Sequence, residues 1–315
     1  MATVYEIQTE RAVNKILEAQ KEGKSFHWSE PWSGGCRVAM SYTTQKPYRG
    51  INSIILPIGE YVTYKALCEL QKKAGSKTFI GIKKGAEMYP IFYSSKMLID
   101  NGKNLSQCKT TKDLKLESIW FTRYYNVFHI KDIEGVESKF PVEHYTHTPL
   151  QNSELMEAYI NAFYSGVESP KISYKEAIGR AYYSPLEHAV TVPKKDNFKS
   201  LYSYYETVLH ETIHSTGKEL KRDIKNHKGD KDYSYEELVA EIGASVTLTM
   251  FGIVDDIQEQ NIAYILGWAS RLQENNKMII KAANDASKAV KYFIETAEKL
   301  GNFPEKISKI IGGEN

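Results

Sequence analysis

The segment SLYSYYETVLHETIHSTG, residues 200–217, decides how the second half of the chain is interpreted. Apolar residues such as Leu209 and Ile213 recur at helical spacing, so the segment is predicted to form a helix with one packed side. His210 and His214 are four residues apart and therefore lie one turn above each other on the same face of that helix. Two imidazoles in this arrangement can bind one Zn²⁺ ion, so the sequence predicts a metal site.

Glu211 lies between the two histidines and beside the predicted metal position. A metal ion lowers the pKa of the water that it binds to about 7, and a neighbouring carboxylate can accept the released proton. Glu211 is therefore the predicted catalytic base. Gly217 follows three residues after His214, where we expect a left-handed residue to end the helix and turn the chain.

A third metal ligand is expected from YSYEELVAEIGA, residues 233–244, a predicted helix with three glutamates. A catalytic zinc takes three protein ligands and keeps one position open. Glu237 and Glu241 are four residues apart and share a helix face, so one can bind the metal while the other orients a ligand histidine. Glu236 is interpreted as a solvated neighbour. The competing interpretation, two histidines four apart by chance on a surface helix, leaves this third ligand unexplained.

The residues before the predicted metal-binding helix suggest where a substrate could lie. Ala189 to Val192 form a short β-like run closed by Pro193, which predicts an edge strand. A free edge beside a metal site can bind an extended peptide, but a proline can equally serve to stop pairing. Three side chains could polarise a scissile carbonyl, and the sequence does not distinguish between them: Tyr202, Tyr204 and Tyr205.

The coarse pattern along the chain predicts an α+β protein with two domains, residues 1–148 and 149–315. The first is expected to be a mixed α/β domain, and the second a mostly helical domain with a small sheet. Predicted helices lie near residues 9–19, 63–75, 153–166, 200–215, 234–251 and 261–300. Residues 77–95 are predicted to form a hairpin with its turn at Lys84 and Gly85, and residues 119–130 a further strand.

Composition limits the cellular setting. No apolar run approaches the roughly 20 residues that a bilayer requires, so no membrane association is expected. The three cysteines, Cys36, Cys68 and Cys108, match no zinc or redox spacing and are interpreted as free thiols. Free thiols are typical of a reducing compartment, so a cytoplasmic location is predicted.

The charge is distributed unevenly along the chain. Residues 1–150 carry 21 Lys and Arg against 15 Asp and Glu, a net charge of +6, whereas residues 151–315 carry 20 against 24, a net charge of −4. Basic residues and aromatics are interleaved in the first half, as in proteins that neutralise phosphates and stack bases. This pattern favours a single-stranded nucleic acid as partner, although lysine clusters are more often solvated surfaces.

Several blocks of sequence resemble the ArdC-type antirestriction proteins of plasmids and other mobile elements. The blocks include PYRGIN at residues 47–52, YVTYK at 61–65, KKGAE at 83–87 and YNVFHIKDIEG at 125–135. In the second half they include AYYSPLEHAVTVP, the HETIH segment, EELVAEIGA and AYILGWASRL. PYRGIN, YVTYK and VFHIKDIEG in this order are far more specific than HETIH, which many zincin-like metallopeptidases share.

The resemblance implies a single-stranded-DNA-binding domain followed by a zincin-like metallopeptidase domain. It implies that His210, His214 and Glu237 hold Zn²⁺, where Glu237 is chosen because it is the first residue of an ExxAE pattern. Glu211 is then the catalytic base, and Glu241 lies behind the ligands. It also implies a protein or peptide substrate, with a host defence protein as a candidate. The expected contacts to single-stranded DNA are Trp32, Tyr48, Arg49, Asn52, Tyr64, Lys65, Lys83 and Lys84.

Two other functions fit parts of this pattern. A non-proteolytic protein could coat single-stranded DNA and use zinc only to stabilise its second domain. A structural zinc needs no general base and usually completes its ligand set with Cys or His, whereas no cysteine follows Cys108. A metal-dependent nuclease is less favoured, because such sites use carboxylate-rich pairs of metal ions.

Overall fold

The computed structural model of the chain describes nine stretches of residues: 38–76, 78–100, 103–104, 116–139, 149–176, 179–224, 231–253, 276–303 and 306–310. The predicted helix at residues 9–19 and the candidate DNA contact Trp32 lie outside them, as do Cys36 and Cys108. Cys68 is a free, exposed thiol. Among the described residues, none of the helices has the combination of length and apolar character that crossing a bilayer needs.

The described residues of the first half form a five-stranded sheet from β1 Ala39–Ser41, β2 Gly59–Thr63, β4 Met88–Asp100, β5 Lys103–Asn104 and β6 Leu116–His129. The strand order is β1-β2-β6-β4-β5. Strands β1 and β2 pair in parallel, whereas β2 with β6, β6 with β4 and β4 with β5 pair antiparallel. This described part also holds two short helices, α1 at Asn52–Ile55 and α2 at Tyr64–Ala74.

Helix α2 confirms the prediction for residues 63–75. The Thr63 hydroxyl caps its first turn by accepting a hydrogen bond from the Ala66 amide, 3.2 Å away. Leu67 is buried on the packed side. Gly75 ends the helix with a φ of 67°, a conformation that glycine adopts without strain.

The hairpin predicted for residues 77–95 is wrong in its pairing. Strand β3, Gly81–Ile82, pairs with β7, Ile133–Glu134, in a separate two-stranded sheet, whereas β4 pairs with β6. The turn itself is present, with Gly85 at a φ of 87°. The Lys83 amide donates to the Asp132 carbonyl at 2.9 Å, so the chain before the turn is held by the β7 side instead of β4. The strand predicted at 119–130 is confirmed as β6.

In the second half, the described residues form a three-stranded sheet and four longer helices. Strand β10, Ala189–Pro193, lies in the middle, parallel to β8, Lys171–Lys175, and antiparallel to β9, Tyr182–Ser184. The prediction that β10 is an edge strand is therefore wrong. Pro193 occupies the last paired position, opposite Lys175, so its missing amide hydrogen does not interrupt the sheet. The helices are α3 Pro149–Tyr164, α4 Leu201–Ser215, α5 Lys231–Met250, α6 Asn276–Leu300 and a short α7 Ile307–Ile310.

One cluster of buried side chains joins the two halves. It includes Tyr61 and Val127 from the first sheet together with Tyr159 and Phe293 from helices α3 and α6. The boundary predicted at residues 148 and 149 stays a prediction, and the core is continuous across it. The α+β fold class, a mixed first half and a mostly helical second half with a small sheet, is confirmed.

Gly50 marks a close approach between the two halves. Its amide donates to the Ser287 hydroxyl of α6 at 2.7 Å, and its φ is 61°. A Cβ atom at this position would lie 2.0 Å from Oδ1 of Asn284. Glycine is therefore favoured here by the backbone conformation, and any larger residue would also have to displace the Asn284 side chain.

Candidate metal centre

Helix α4 carries both candidate histidines and begins and ends in defined contacts. The Ser200 hydroxyl accepts from the Ser203 amide at its first turn. Gly217 follows the helix but does not adopt the left-handed conformation that was predicted. A Cβ atom on Gly217 would instead lie 2.3 Å from Cδ1 of Ile224, so glycine is explained here by a close contact with the returning chain.

Three side chains from helices α4 and α5 converge on one point. Nε2 of His210 lies 3.1 Å from Nε2 of His214. The Glu237 carboxylate lies 3.4 Å from Nε2 of His210 and 3.5 Å from Nε2 of His214. The three candidate ligand atoms all lie within 4.8 Å of one another, a spacing that one cation can bridge.

The outer nitrogens of both histidines are held by carboxylates. Nδ1 of His210 lies 3.2 Å from Glu241, and Nδ1 of His214 lies 3.3 Å from Glu236. Ionised carboxylates only accept hydrogen bonds, so each Nδ1 carries a hydrogen, and a cation that displaces the protons from Nε2 would meet both Nε2 lone pairs at the common point. The prediction that Glu236 is solvated is wrong, since only 3% of it is exposed.

Arg222 fixes Glu236 from the far side, a contact that was not predicted. Its Nη2 lies 2.9 Å from Oε1 of Glu236 and its Nε 3.1 Å from Oε2, a two-bonded ion pair. The same guanidinium donates to the Ile213 carbonyl at 2.7 Å and to the Thr216 hydroxyl at 3.0 Å. Arg222 thus ties the end of helix α4 to helix α5 and fixes the carboxylate that orients His214.

The pKa shifts of the cluster agree with a site that favours a positive charge. Burial opposes protonation of His210, but hydrogen bonds to Glu237 and Glu241 outweigh it and raise the pKa of His210 well above its ordinary value. Burial also opposes ionisation of Glu237, yet hydrogen bonds from His210 and His214 hold its pKa far below the usual range. Two imidazole lone pairs and a carboxylate facing one point therefore suit a divalent cation, and the residues fit Zn²⁺ by donor type.

Glu211 is buried beside this cluster without belonging to it. Burial raises the pKa of Glu211, although His210 and His214 counteract the shift. A backbone hydrogen bond from Tyr183 on strand β9 reaches its carboxylate. On the next residue of the helix, the Thr212 hydroxyl lies 2.7 Å from that of Tyr164 and donates to the Val208 carbonyl. Glu211 is thus fixed between the metal-binding face and strand β9.

Two of the tyrosines considered for carbonyl polarisation are engaged elsewhere. Tyr204 and Tyr205 lie in the first two turns of α4 and are buried. The Tyr205 hydroxyl contacts the Lys195 amine at 3.2 Å and the Ser153 carbonyl at 3.2 Å. The Tyr204 ring packs against those of Phe198 and Tyr205, so both tyrosines are held by contacts that include none of the candidate metal ligands. The Tyr183 hydroxyl of strand β9 lies 2.9 Å from Nδ1 of His188.

The described candidate DNA contacts lie on several separate elements. Tyr48 is half-buried and packs against the main core, with its ring 6.3 Å from that of Tyr61. Asn52 is buried, and its amide exchanges two hydrogen bonds of 2.7 Å with the Phe92 backbone, so this geometry does not support a DNA contact. Five candidates are exposed. Arg49 lies before α1, Tyr64 and Lys65 lie at the start of α2, and Lys83 and Lys84 lie in the turn before β4.

Comparison with known families separates the chain into two matched parts. Residues 7–128 match the family described as the N-terminal domain of anti-restriction factor ArdC. Residues 161–285, which include both histidines and all three glutamates of the cluster, match the family described as zincin-like metallopeptidase. The chain is thus ArdC-type in its first half and zincin-like in its second.

Solved structures show that the ArdC-type fold extends over nearly the whole chain. The metal-free crystal structure of the antirestriction ArdC protein from plasmid R388 is 23% identical, with a TM-score of 0.64 over 96% of this chain and 100% of that chain. Its Mn(II)-bound structure is 24% identical, with a TM-score of 0.63 over 92% of this chain and 97% of that one. At this identity the likeness shows the fold.

Longer relatives carry a similar sequence within larger proteins. Two proteins of Escherichia coli named DNA primase TraC are each 28% identical to this chain, over 92% and 95% of its length. The chain spans 20% and 28% of the length of these two proteins. The chain therefore corresponds to only a part of these larger proteins.

Replacing Glu236 by glutamine is expected to weaken metal binding by about 10- to 100-fold, a typical effect of losing a group that orients a ligand histidine. The neutral amide cannot form the ion pair with Arg222 and leaves His214 less firmly held. Titration calorimetry with Zn²⁺ would measure the change. Glu295→Gln, at an exposed position of α6, is the matched control and should bind Zn²⁺ like the unchanged protein. Equal affinity in both variants would contradict the role given to Glu236.

Proposed function

We propose that this chain joins a metal-dependent peptidase to a single-stranded-DNA-binding unit in an antirestriction protein. The observation that carries the proposal is the convergence of His210, His214 and Glu237, with Glu211 buried beside them. A structural zinc site is closed by four protein ligands and needs no further carboxylate at its side, whereas three ligand groups converge here among the described residues. Glu211 therefore supports a hydrolytic role.

His210, His214 and Glu237 would hold the ion, for which Zn²⁺ is our choice. When bound, Zn²⁺ supplies Lewis acidity that polarises a carbonyl and makes water easier to deprotonate. Glu211 would accept a proton at its carboxylate and pass it to the leaving amine. The burial that raises the pKa of Glu211 makes it a better proton acceptor than an exposed carboxylate.

Strand β9 offers a place for the substrate that β10 does not. Among the described strands, β9 pairs with β10 and has no partner on its other side. The backbone of Tyr183 in this strand reaches the Glu211 carboxylate, so the free edge passes close to the proposed base. An extended peptide that pairs with this edge would bring a backbone carbonyl towards the metal centre.

The first half of the chain supports the DNA part of the proposal. It matches the N-terminal ArdC domain family, and the net charge of residues 1–150 is +6. Cations favour phosphate groups, and the interleaved aromatics can stack on unpaired bases. A host defence protein is the proposed substrate, and the cytoplasm the proposed location.

A peptidase assay tests the proposal. The zinc-loaded chain is incubated with a pool of peptides from a bacterial lysate, and new termini are identified by mass spectrometry. We expect cleavage that disappears after chelation and returns with Zn²⁺. If no pool is cleaved while single-stranded DNA is still bound, the chain is a non-proteolytic coating protein with a structural metal.

A further inference from the structure

Strands β4 and β6 form a long two-stranded ribbon, whose pairing continues past the buried residues Ile91 and Val127. Their register runs without a break from Met88 opposite Phe128 to Asp100 opposite Leu116. Val127 at the inner end is fully buried, and Ile91 is 8% exposed. At about 3.4 Å per residue, the ribbon from Tyr93 outwards adds more than 20 Å.

One face of this ribbon changes from apolar and buried to aromatic, basic and exposed. Tyr93 is directly opposite Arg123, and Tyr125 is directly opposite Ile91. Directly opposed residues, and residues two apart along a strand, lie on the same face of a sheet. Tyr93, Arg123 and Tyr125 therefore form one surface, which we call the ribbon face. The two tyrosines are 53% and 44% exposed, and Arg123 is exposed.

The chemistry of the ribbon face fits single-stranded nucleic acid. Exposed aromatic rings next to a guanidinium offer stacking surfaces for bases and a cation for phosphate. Tyr93 and Tyr125 lie diagonally across the strand pair, within about 7 to 8 Å of each other, which suits neighbouring bases. Duplex DNA hides the faces of its bases in the stack, so this surface favours single strands.

Between positions 88–93 and 123–128, the other face of the ribbon carries no cation. Tyr124 is 39% exposed and lies on that face with Asn126 and Met88, and the same face continues along the register to Lys96 opposite Trp120. The candidate aromatic Tyr48 packs against the core, so Tyr64 is the exposed aromatic among the described candidates, and the ribbon face would add two more stacking groups. We infer that the ribbon face of Tyr93, Arg123 and Tyr125 is a base-stacking site for single-stranded DNA, an inference that rests on the proposed DNA-binding function.

The experiment measures binding of the full chain to fluorescein-labelled dT20 by fluorescence anisotropy at several salt concentrations. Tyr93→Ala and Tyr125→Ala are each expected to weaken binding about 5- to 150-fold, with the slope of log affinity against log salt unchanged. Arg123→Ala should make that slope shallower by about 0.7, the value for one phosphate contact on a single strand. Tyr124→Ala, on the neighbouring residue and the opposite face, is the matched control and should bind like the unchanged chain.

Each outcome decides between the inference and the function on which it rests. If the unchanged chain binds dT20 and the Tyr93 and Tyr125 variants bind equally well, the ribbon face is not the base-stacking site, and the DNA-binding function stands. If Tyr124→Ala weakens binding as much as the other two, the assignment to one face is wrong. If the unchanged chain does not bind dT20, the DNA-binding function itself fails. Circular dichroism of each variant excludes loss of folding as the cause.

Discussion

Replacement of Glu211 by glutamine is expected to reduce the rate of peptide hydrolysis by about 10²- to 10⁴-fold, the range that general acid–base catalysis contributes. Glutamine keeps the size of the side chain and can still accept the backbone hydrogen bond from Tyr183, but it cannot take up a proton. Metal binding should be retained, because the ligand atoms belong to other residues. The rate of cleavage of a peptide identified from the pool, measured together with zinc content, checks both statements.

The control for this variant is Glu154→Gln, which removes an exposed carboxylate from helix α3. It should cleave the peptide at the rate of the unchanged chain. A Glu211→Gln protein that holds zinc and cleaves at the full rate would show that another group accepts the proton. A variant that loses zinc would show that Glu211 supports the ligands instead of the reaction.

Replacement of Glu237 by alanine is expected to abolish zinc binding at concentrations that saturate the unchanged chain. The change removes one of the three converging ligand groups and leaves two histidines, which hold a catalytic metal poorly. Glu241→Ala is the informative comparison, because Glu241 contacts Nδ1 of His210 and not the common point. It should keep one ion per chain with an affinity lowered about 10- to 100-fold.

Elemental analysis and calorimetry of the two variants distinguish ligand from support. If Glu241→Ala loses the ion and Glu237→Ala retains it, the two roles are exchanged. If both retain the ion with unchanged affinity, the metal lies elsewhere and the site is wrong. Thermal unfolding of the metal-free variants shows whether a loss of binding follows from a loss of fold.

Local spacing was sufficient to predict which helix faces converge in the second half, whereas the choice of Glu237 over Glu241 as the expected ligand came from the family resemblance. His210 and His214 share a helix face because they are four residues apart, and Glu237 and Glu241 do so for the same reason. The contact between Arg222 and Glu236 has no such periodicity, because it depends on how the chain after α4 returns towards α5. A charged residue after a helix is usually solvated, so the sequence offered no signal for it.

The errors in the sheets share one physical cause. The sequence of β10 predicts a strand correctly, but its central position depends on β8, which lies upstream and pairs in parallel. Strand β3 has the alternation of a hairpin strand, yet it pairs with β7 some 50 residues later. Strand pairing over long separations is set by packing and not by local pattern, and the same holds for the burial of Tyr48 and Asn52.

The central claim is that one metal ion is held by His210, His214 and Glu237. Anomalous diffraction from zinc-containing crystals, with data collected on both sides of the zinc absorption edge, tests it most directly. We predict one anomalous peak per chain, at about 2.0 to 2.2 Å from Nε2 of each histidine and from a Glu237 oxygen. A peak that places the ion against Glu236 or Glu241 instead, or zinc-containing crystals with no peak at this point, would contradict the claim.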